Sequence, residues 1–462
     1  MQTRSPVFDD ESDHEGDVIA TTSAPADVEL QHYSAENIAE PPDFDEEDEN
    51  IEIDVPEASS GSAGAAFNLM NSIIGAGIIG LPYAIKTCGF FLGIVLLFVV
   101  TALTDYTVRL IVRMGVNRGL RSYEALAQQA FPKYGAALVS LSMFLFAYGG
   151  MVAYLVIIGD TVPEVMKAAL GKNSDSILTS RTWIVFLIST FLVLPLSLLR
   201  NMASLRWSSV VSVGAVFVIL ATVLARAPQV AEEQGIHWRN EDAPFSVAKP
   251  TALRGLGAFS FAFVCHHSAF IVRNSLRNPT PRRWKLVTRS SLLIAMIASA
   301  ILALGGYLAF FSHTKSDVLN NFSENDTAIN VARALLAGTM VSTYAMEHYV
   351  ARHATYELAF RAFNRMLPER MPTRHFVGIT LLMWGSSTLI AVGNSDLGIV
   401  LELTGTVAAA SLGYTLPGLV QLKLDGFTRS SWRKHWVPLF LSVFGILVTI
   451  LGLATVFSSG GD

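Results

Sequence analysis

Residues 71–83 read Asn71-Ser72-Ile73-Ile74-Gly75-Ala76-Gly77-Ile78-Ile79-Gly80-Leu81-Pro82-Tyr83. The stretch is apolar enough for the middle of a membrane span. Yet Gly75 and Gly77 are poor helix formers, and Pro82 removes a backbone donor. Peptide groups freed by such a break find no water in hydrocarbon, so a break is tolerated only beside a cavity or a ligand. Close packing of small residues against a neighbouring helix would also explain the glycines. In either case the segment belongs in a membrane.

The rest of the chain supplies that membrane setting. Of its 462 residues, 51% are hydrophobic and only 15% charged, against roughly 25% charged in a soluble domain. Mean hydropathy is +0.43. Apolar stretches near the ~20 residues that cross a hydrocarbon core recur from residue 62 onward, near 64–86, 89–112, 135–159, 182–199, 207–226, 252–273, 287–311, 328–348, 376–393, 396–420 and 437–458. The expected fold is therefore an all-α membrane protein of about eleven transmembrane helices. Ahead of it, residues 1–60 carry 19 acids against Arg4 alone, a net charge of -18. Such a segment repels itself and cannot bury a core, so a disordered acidic cytosolic tail is expected, followed by a transmembrane domain over 61–462. Regulatory proteins are candidate partners of the tail.

Charge sets the expected orientation. With the tail in the cytosol, alternate loops place 22 Lys and Arg on the cytosolic side and 10 on the other, as the positive-inside rule requires. The C-terminus then falls in a lumen or outside the cell. Asn321-Phe322-Ser323 and Asn325-Asp326-Thr327 are glycosylation acceptors in the loop after the seventh span, also on the non-cytosolic side. A net charge of -5 gives no nucleic-acid footprint. Cys88 and Cys265 cannot make a disulfide framework or a thiolate metal site. No P-loop is present, so nucleotide-driven transport is disfavoured. Nor does any nucleophile or metal-ligand motif at membrane depth suggest an enzyme, and no cofactor is implied.

A second anomaly lies in the sixth span, where Gly255 and Gly257 precede Phe259-Ser260-Phe261-Ala262-Phe263-Val264-Cys265-His266-His267-Ser268. Interrupted spans at positions one and six, each opening a set of five, point to a five-plus-five inverted repeat and a binding site near the midplane. An amino acid suits such a site. Half-helix N-termini offer N–H groups to its carboxylate, and unwound carbonyls accept from its ammonium or hold a cation. Ser72, Ile74, Gly75, Ala76, Gly77 and Ile78 are the candidate backbone platform, and Phe259, Ser260, Phe261 and Phe263 the candidate side-chain pocket. Aromatic walls favour a neutral substrate.

These motifs together resemble the amino acid/auxin permease family. Asn71–Tyr83 resembles its opening motif, closest to fungal vacuolar-type amino acid transporters and sodium-coupled neutral amino acid transporters. Phe259–Phe270, read FSFAFVCHHSAF, is similar to that branch's sixth helix. Pro279-Thr280, Arg283-Trp284 and Val287-Thr288 resemble its next loop. Val318-Leu319-Asn320-Asn321-Phe322, with Asp326, Asn330 and Arg333, is similar to its outer loop and the start of its eighth helix. The resemblance covers roughly 60–458. It implies the fold of the amino acid/polyamine/cation carriers, gradient-driven amino acid transport by alternating access, and a vacuolar or other endomembrane. By matching positions it implies a cation-coupling role for Asn71 and Thr343, the ion being H+ or Na+. A nutrient receptor with the same fold, moving little substrate, is the alternative.

Four ionisable residues are candidates for handling protons. His266 and His267 carry imidazole, a group whose ordinary titration falls near neutral pH, and Glu347 and Glu402 are carboxylates in spans. Hydrogen bonding within the bundle, or a solvated helix end for Glu347, competes with that role. Asp160 and Glu164, beside Pro163, read as loop charges, and Tyr123–Phe131 as an interfacial helix on the cytosolic face.

Overall fold

Each expected apolar run forms a helix. The computed structural model describes residues 60–171, 176–200, 206–241, 243–362, 371–426, 433 and 435–458; among these no strand occurs, only an isolated bridge between Ser60 and Leu276. The acidic segment 1–59 and its expected disorder lie outside the described residues.

The first span is α1 (Ser62–Ile73), a 3-10 turn (Ala76–Gly80) and α2 (Leu81–Cys88), bent by 47°. Then come α3 (Phe90–Val116), a short α4 (Tyr123–Ala130) and α5 (Gly135–Leu170). The fourth span joins α6 (Arg181–Ile188) to α7 (Leu194–Ser197) through a π turn, and α8 (Arg206–Glu233) is the fifth. The sixth is again broken, into α9 (Ala252–Phe263) and α10 (His266–Ser275). After these run α11 (Pro281–Phe310), α12 (Thr327–Ala362) and α13 (Thr373–Gly393). The tenth span is α14 (Leu397–Thr404), two π turns and α15 (Leu416–Leu424), and α16 (Trp436–Ser458) closes the bundle.

Eight of these helices are long and apolar enough to cross a membrane, nine if the bent first pair counts as one span, among the described residues. The remaining two differ from expectation for physical reasons. Arg181–Ser197 is apolar but short. Thr327–Ala362 is long but polar, because it packs most extensively against α5 and not against lipid. It buries Arg333, Glu347, His348 and Arg352 in the bundle. Arg352 is thus not the cytosolic loop charge expected. Its guanidinium donates to Ser197 O at 2.8 Å and Thr380 Oγ1 at 3.0 Å, and stacks 3.9 Å over Phe376.

Two other expectations are corrected. Asp160 and Glu164 are not loop residues, since α5 continues through Pro163 to Leu170. Asp160 pairs there with Arg181 at 3.2 Å. And α4, capped by Ser122, buries Tyr123, Leu126 and Ala127 against the bundle, with Tyr123 Oη donating to Leu412 O. It is a packed helix more than an interfacial one.

The loop between α11 and α12 is pinned to the broken span. Lys86 Nζ donates to Thr314 O at 2.9 Å. Arg333, fully buried, donates to Leu319 O and Phe322 O at 2.9 and 3.0 Å. Asn321 is buried too, its Nδ2 donating to His313 O at 2.8 Å and its Oδ1 accepting from Lys315 N at 2.9 Å. A glycan at Asn321 would require this loop to open, which overturns the expectation there; Asn325 is exposed.

Asp317 caps the same loop, accepting from Leu319 N at 2.9 Å, while its second oxygen has no partner. Burial first, then the nearby Asp160 carboxylate, push it up to about 7, against the pull of the Leu319 N–H and Arg333. The folded loop therefore binds a proton that an exposed aspartate, near ~3.9, would release. Loop closure should be firmest in acid and weaken as pH rises from about 4 toward 7. Hydrogen exchange of residues 314–323, corrected for intrinsic rates, should show more protection at pH 5 than at pH 8. Asp317→Asn should flatten that difference.

Candidate functional site between the broken spans

The sequence breaks the first span at its glycines, and the fold brings that break against the second one. Ile74 (ψ 71°) and Gly75 (φ -111°, ψ -143°) leave helical geometry. Ala76 and Gly77 open the 3-10 turn, so their N–H groups have no acceptor within it. A Cβ built on Gly77 would lie 2.6 Å from Ala262 Cα. The 3-10 turn thus rests directly on the end of α9, whose chain turns extended at Val264 (φ -71°, ψ 119°) before α10 restarts at His266.

Span six does not break at its glycines, as their density suggests. Gly255 and Gly257 serve contact: added Cβ atoms would meet Cys88 Sγ at 2.4 Å and Glu402 O at 2.7 Å.

A polar chamber adjoins the breaks. His267, at the start of α10, holds Glu347 of α12 at 3.4 Å between Nε2 and Oε1. The far atoms of this pair, His267 Nδ1 and Glu347 Oε2, are buried and unpartnered, as is Asn71 Oδ1. Asn71 reaches α12 through its Nδ2, 4.0 Å from Met346 Sδ, one turn from Thr343. From α5, Gly150 leaves room for Glu347, with a built Cβ 3.7 Å from its Cγ. Tyr154 comes from the same helix, its hydroxyl 3.3 Å from a Cβ on Gly75. Phe146 lies between the ring of His267 at 5.0 Å and that of Phe261 at 5.3 Å. The first, third, sixth and eighth spans therefore meet around an acid–imidazole pair and the N-terminal end of the 3-10 turn. Unpaired polar atoms buried this deeply are costly. Together the groups can take a zwitterion: N–H donors for a carboxylate, and the Glu347 and Asn71 oxygens for an ammonium or a cation.

Residues 59–458 match the family model described as transmembrane amino acid transporter protein. The chain belongs to that family. A Danio rerio relative, provisionally named sodium-coupled neutral amino acid transporter 11, is 34% identical over 86% of each chain. Its Bos taurus counterpart is 33% identical over 86% of this chain and 83% of its own. Vacuolar amino acid transporter 2 of Saccharomyces cerevisiae is 31% identical over 93% of this chain and 90% of its own.

In this transmembrane amino acid transporter family member, the other residues singled out in the sequence divide clearly. Gly75, Ala76, Gly77 and Phe261 lie at the break or the chamber. Ile74 and Ile78 are buried beside them. Ser72 donates to Asn68 O one turn back. Ser260 pairs with Tyr414 Oη at 3.2 Å and ties the sixth span to the tenth. Phe259 and Phe263 are fully buried, on the face of α9 opposite Phe261. Thr343 gives its proton to Thr339 O at 2.8 Å, leaving its oxygen lone pairs free to accept. His266 does not join the chamber: Thr107 holds its Nε2 at 2.8 Å. Glu402 is separate as well: its Oε2 is paired with Arg254 at 2.6 Å, while its Oε1 has no partner.

Sequence reading misses Tyr154, Phe146 and Gly150, all on span three, and Arg254 as the partner of Glu402. The adjacent pair Gly149-Gly150 is the one signal on span three. A Cβ on Gly149 would sit 2.2 Å from Thr404 Oγ1.

Proposed function

We propose that this protein is a secondary active transporter of neutral amino acids working by alternating access, with the substrate bound where spans one and six unwind. The observation that carries this reading is the cluster of unpartnered buried atoms on Asn71, His267 and Glu347 beside the N–H groups of Ala76 and Gly77 that open the 3-10 turn. A fully paired interior would suit a scaffold, whereas these groups suit a ligand that supplies both charges. The apolar wall of Phe146 and Phe261 favours a side chain without charge. No observation favours the receptor alternative.

Coupling follows from the same cluster. A proton shared by His267 and Glu347 would change the chamber's charge by one as the carrier cycles. One proton moving down one pH unit supplies about 1.4 kcal/mol, and its charge crossing ~100 mV about 2.3 kcal/mol more. That supports accumulation on the order of a hundredfold. Sodium is the second reading, favoured by the unpartnered Asn71 Oδ1 and the free lone pairs of Thr343. The excess of basic residues supports a cytosolic position for the face bearing Ser60 and Arg277, and the yeast relative's name supports a vacuolar or other endomembrane.

Uptake of a panel of labelled amino acids into proteoliposomes, under imposed H+ and Na+ gradients, tests the whole reading. Neutral amino acids should accumulate only with a gradient; binding without gradient-driven uptake would count against it. Thr343→Ala separates the ions. Under sodium coupling it raises the half-saturating Na+ concentration about tenfold or more, as loss of one ligand to a charge costs ~1.5–3 kcal/mol. Under proton coupling it leaves the pH profile unchanged.

A further inference from the structure

A cavity of about 230 Å3 lies away from the chamber, between the last turns of α3, the end of α10 and the first turn of α11. All three ends lie on the face that carries most of the Lys and Arg. Arg109, Arg113, Arg273 and Lys285 line it, and no acid does among the described residues. Arg109 is engaged by Asp105 on its own helix. No ion pair holds Arg113, Arg273 or Lys285 among the described residues. Arg273 donates only weakly, to Pro279 O at 3.4 Å. Three cations thus converge on one space with no counter-charge.

A second, independent feature points to an acceptor-rich ligand. Trp284, also in the lining, is 5% exposed, and its indole N–H has no partner. A buried N–H donor left unpaired is destabilising, and a phosphate or ester oxygen would satisfy it. The start of α11 adds the positive end of a 30-residue helix, capped by Thr280.

The surroundings identify the source of the phosphate. Tyr106, Leu110 and Val116 make part of the wall apolar. From the residue after Lys285, a lipid-facing stripe of Leu286, Leu293 and Ile297 descends α11, each 48–61% exposed. A soluble anion has no use for such a stripe, but an acyl chain does. We propose that this cavity binds the phosphate headgroup of an anionic phospholipid, seated in the cytosolic leaflet with its tails along α11. Basic pockets between helix ends on the cytosolic side take anionic headgroups by the same physics.

The full chain, purified and placed in phosphatidylcholine nanodiscs doped with phosphatidylserine, tests this by native mass spectrometry. The protein should retain phosphatidylserine well above its share of the bilayer. Arg113→Gln with Lys285→Gln should reduce that enrichment by on the order of tenfold or more, since each cation near the surface contributes about a fivefold preference. Trp284→Phe, which keeps the ring and removes the donor, should weaken it by about tenfold. Lys133→Gln, on the same face but outside the cavity, should leave it unchanged. The thermal transition in pure phosphatidylcholine confirms that each variant folds. Three results would overturn the proposal: enrichment intact in the double variant, equal loss in Lys133→Gln, or displacement of the lipid by millimolar inorganic phosphate, the mark of a soluble-anion site.

Discussion

Replacing Gly77 by valine should abolish uptake. A Cβ at this position meets Ala262 Cα at 2.6 Å and Ala262 Cβ at 2.8 Å, distances that no side-chain rotation relieves because the obstacle is backbone. Either the 3-10 turn or α9 must move. α9 is held by Ser260 on Tyr414, and by Gly255 and Gly257 pressed against Cys88 and Glu402 O. The turn opens with the N–H groups of Ala76 and Gly77, so a shift there misplaces the donors proposed to meet the substrate. Overpacking of this kind costs about 1–3 kcal/mol, which a bundle of this size can survive. The variant should therefore fold and reach its membrane while transport falls to background. Gly77→Ala should give an intermediate loss, partly restored by adding Ala262→Gly. Gly385→Ala, in α13 with nothing within 4 Å of the added carbon, should transport normally. Near-normal uptake by Gly77→Val would remove the first break from the site.

That contact also shows how much the sequence reveals. The first break is legible because Gly75, Gly77 and Pro82 weaken a helix locally, whatever surrounds it. The second is not, because Gly255 and Gly257 look like breakers but are occupied with packing, and the helix gives way later, at Val264 and Cys265. Nothing in Phe263-Val264-Cys265 marks that point, and α10 restarts where it packs against α1 and α3. Family resemblance locates Asn71, Thr343 and the histidines, but not which histidine matters. His266 and His267 are neighbours on a helix, so their side chains diverge by about 100°. One meets Thr107 and the other Glu347. Pairings such as Glu402 with Arg254 join residues 148 positions apart, and only tertiary packing brings them together.

The polar eighth helix is the more instructive case. Hydropathy sees an apolar run near 328–348, whereas α12 continues to Ala362 with Arg352 buried inside the bundle. Its polarity is tolerated because α5, α7 and α13 shield it from lipid, and the same shielding allows a carboxylate at Glu347. A span that fails the hydropathy test is thus the one that furnishes the acid of the site.

Glu347→Gln is the substitution that asks what this acid does. Glutamine keeps the length and can still meet His267, so the packing of Phe146 and Gly150 around it should persist, and the thermal transition should move little. What disappears is a charge and a titratable proton. At an effective dielectric constant of about 20, an ammonium ~4 Å from a carboxylate gains about 4 kcal/mol. If Glu347 Oε2 meets the substrate's ammonium, the half-saturating substrate concentration should therefore rise on the order of a hundredfold or more. If the His267–Glu347 pair carries the coupling proton, uptake by the variant should also no longer respond to an imposed H+ gradient. An entrapped pH dye should then record no substrate-driven proton flux. His267→Gln should remove the response to the H+ gradient in the same way but disturb substrate affinity less, because it leaves the carboxylate in place. A solvated helix-end carboxylate would behave otherwise: the glutamine variant would transport with normal affinity and an unaltered response to the H+ gradient. That outcome would leave Asn71 and Thr343 as the coupling residues and sodium as the ion.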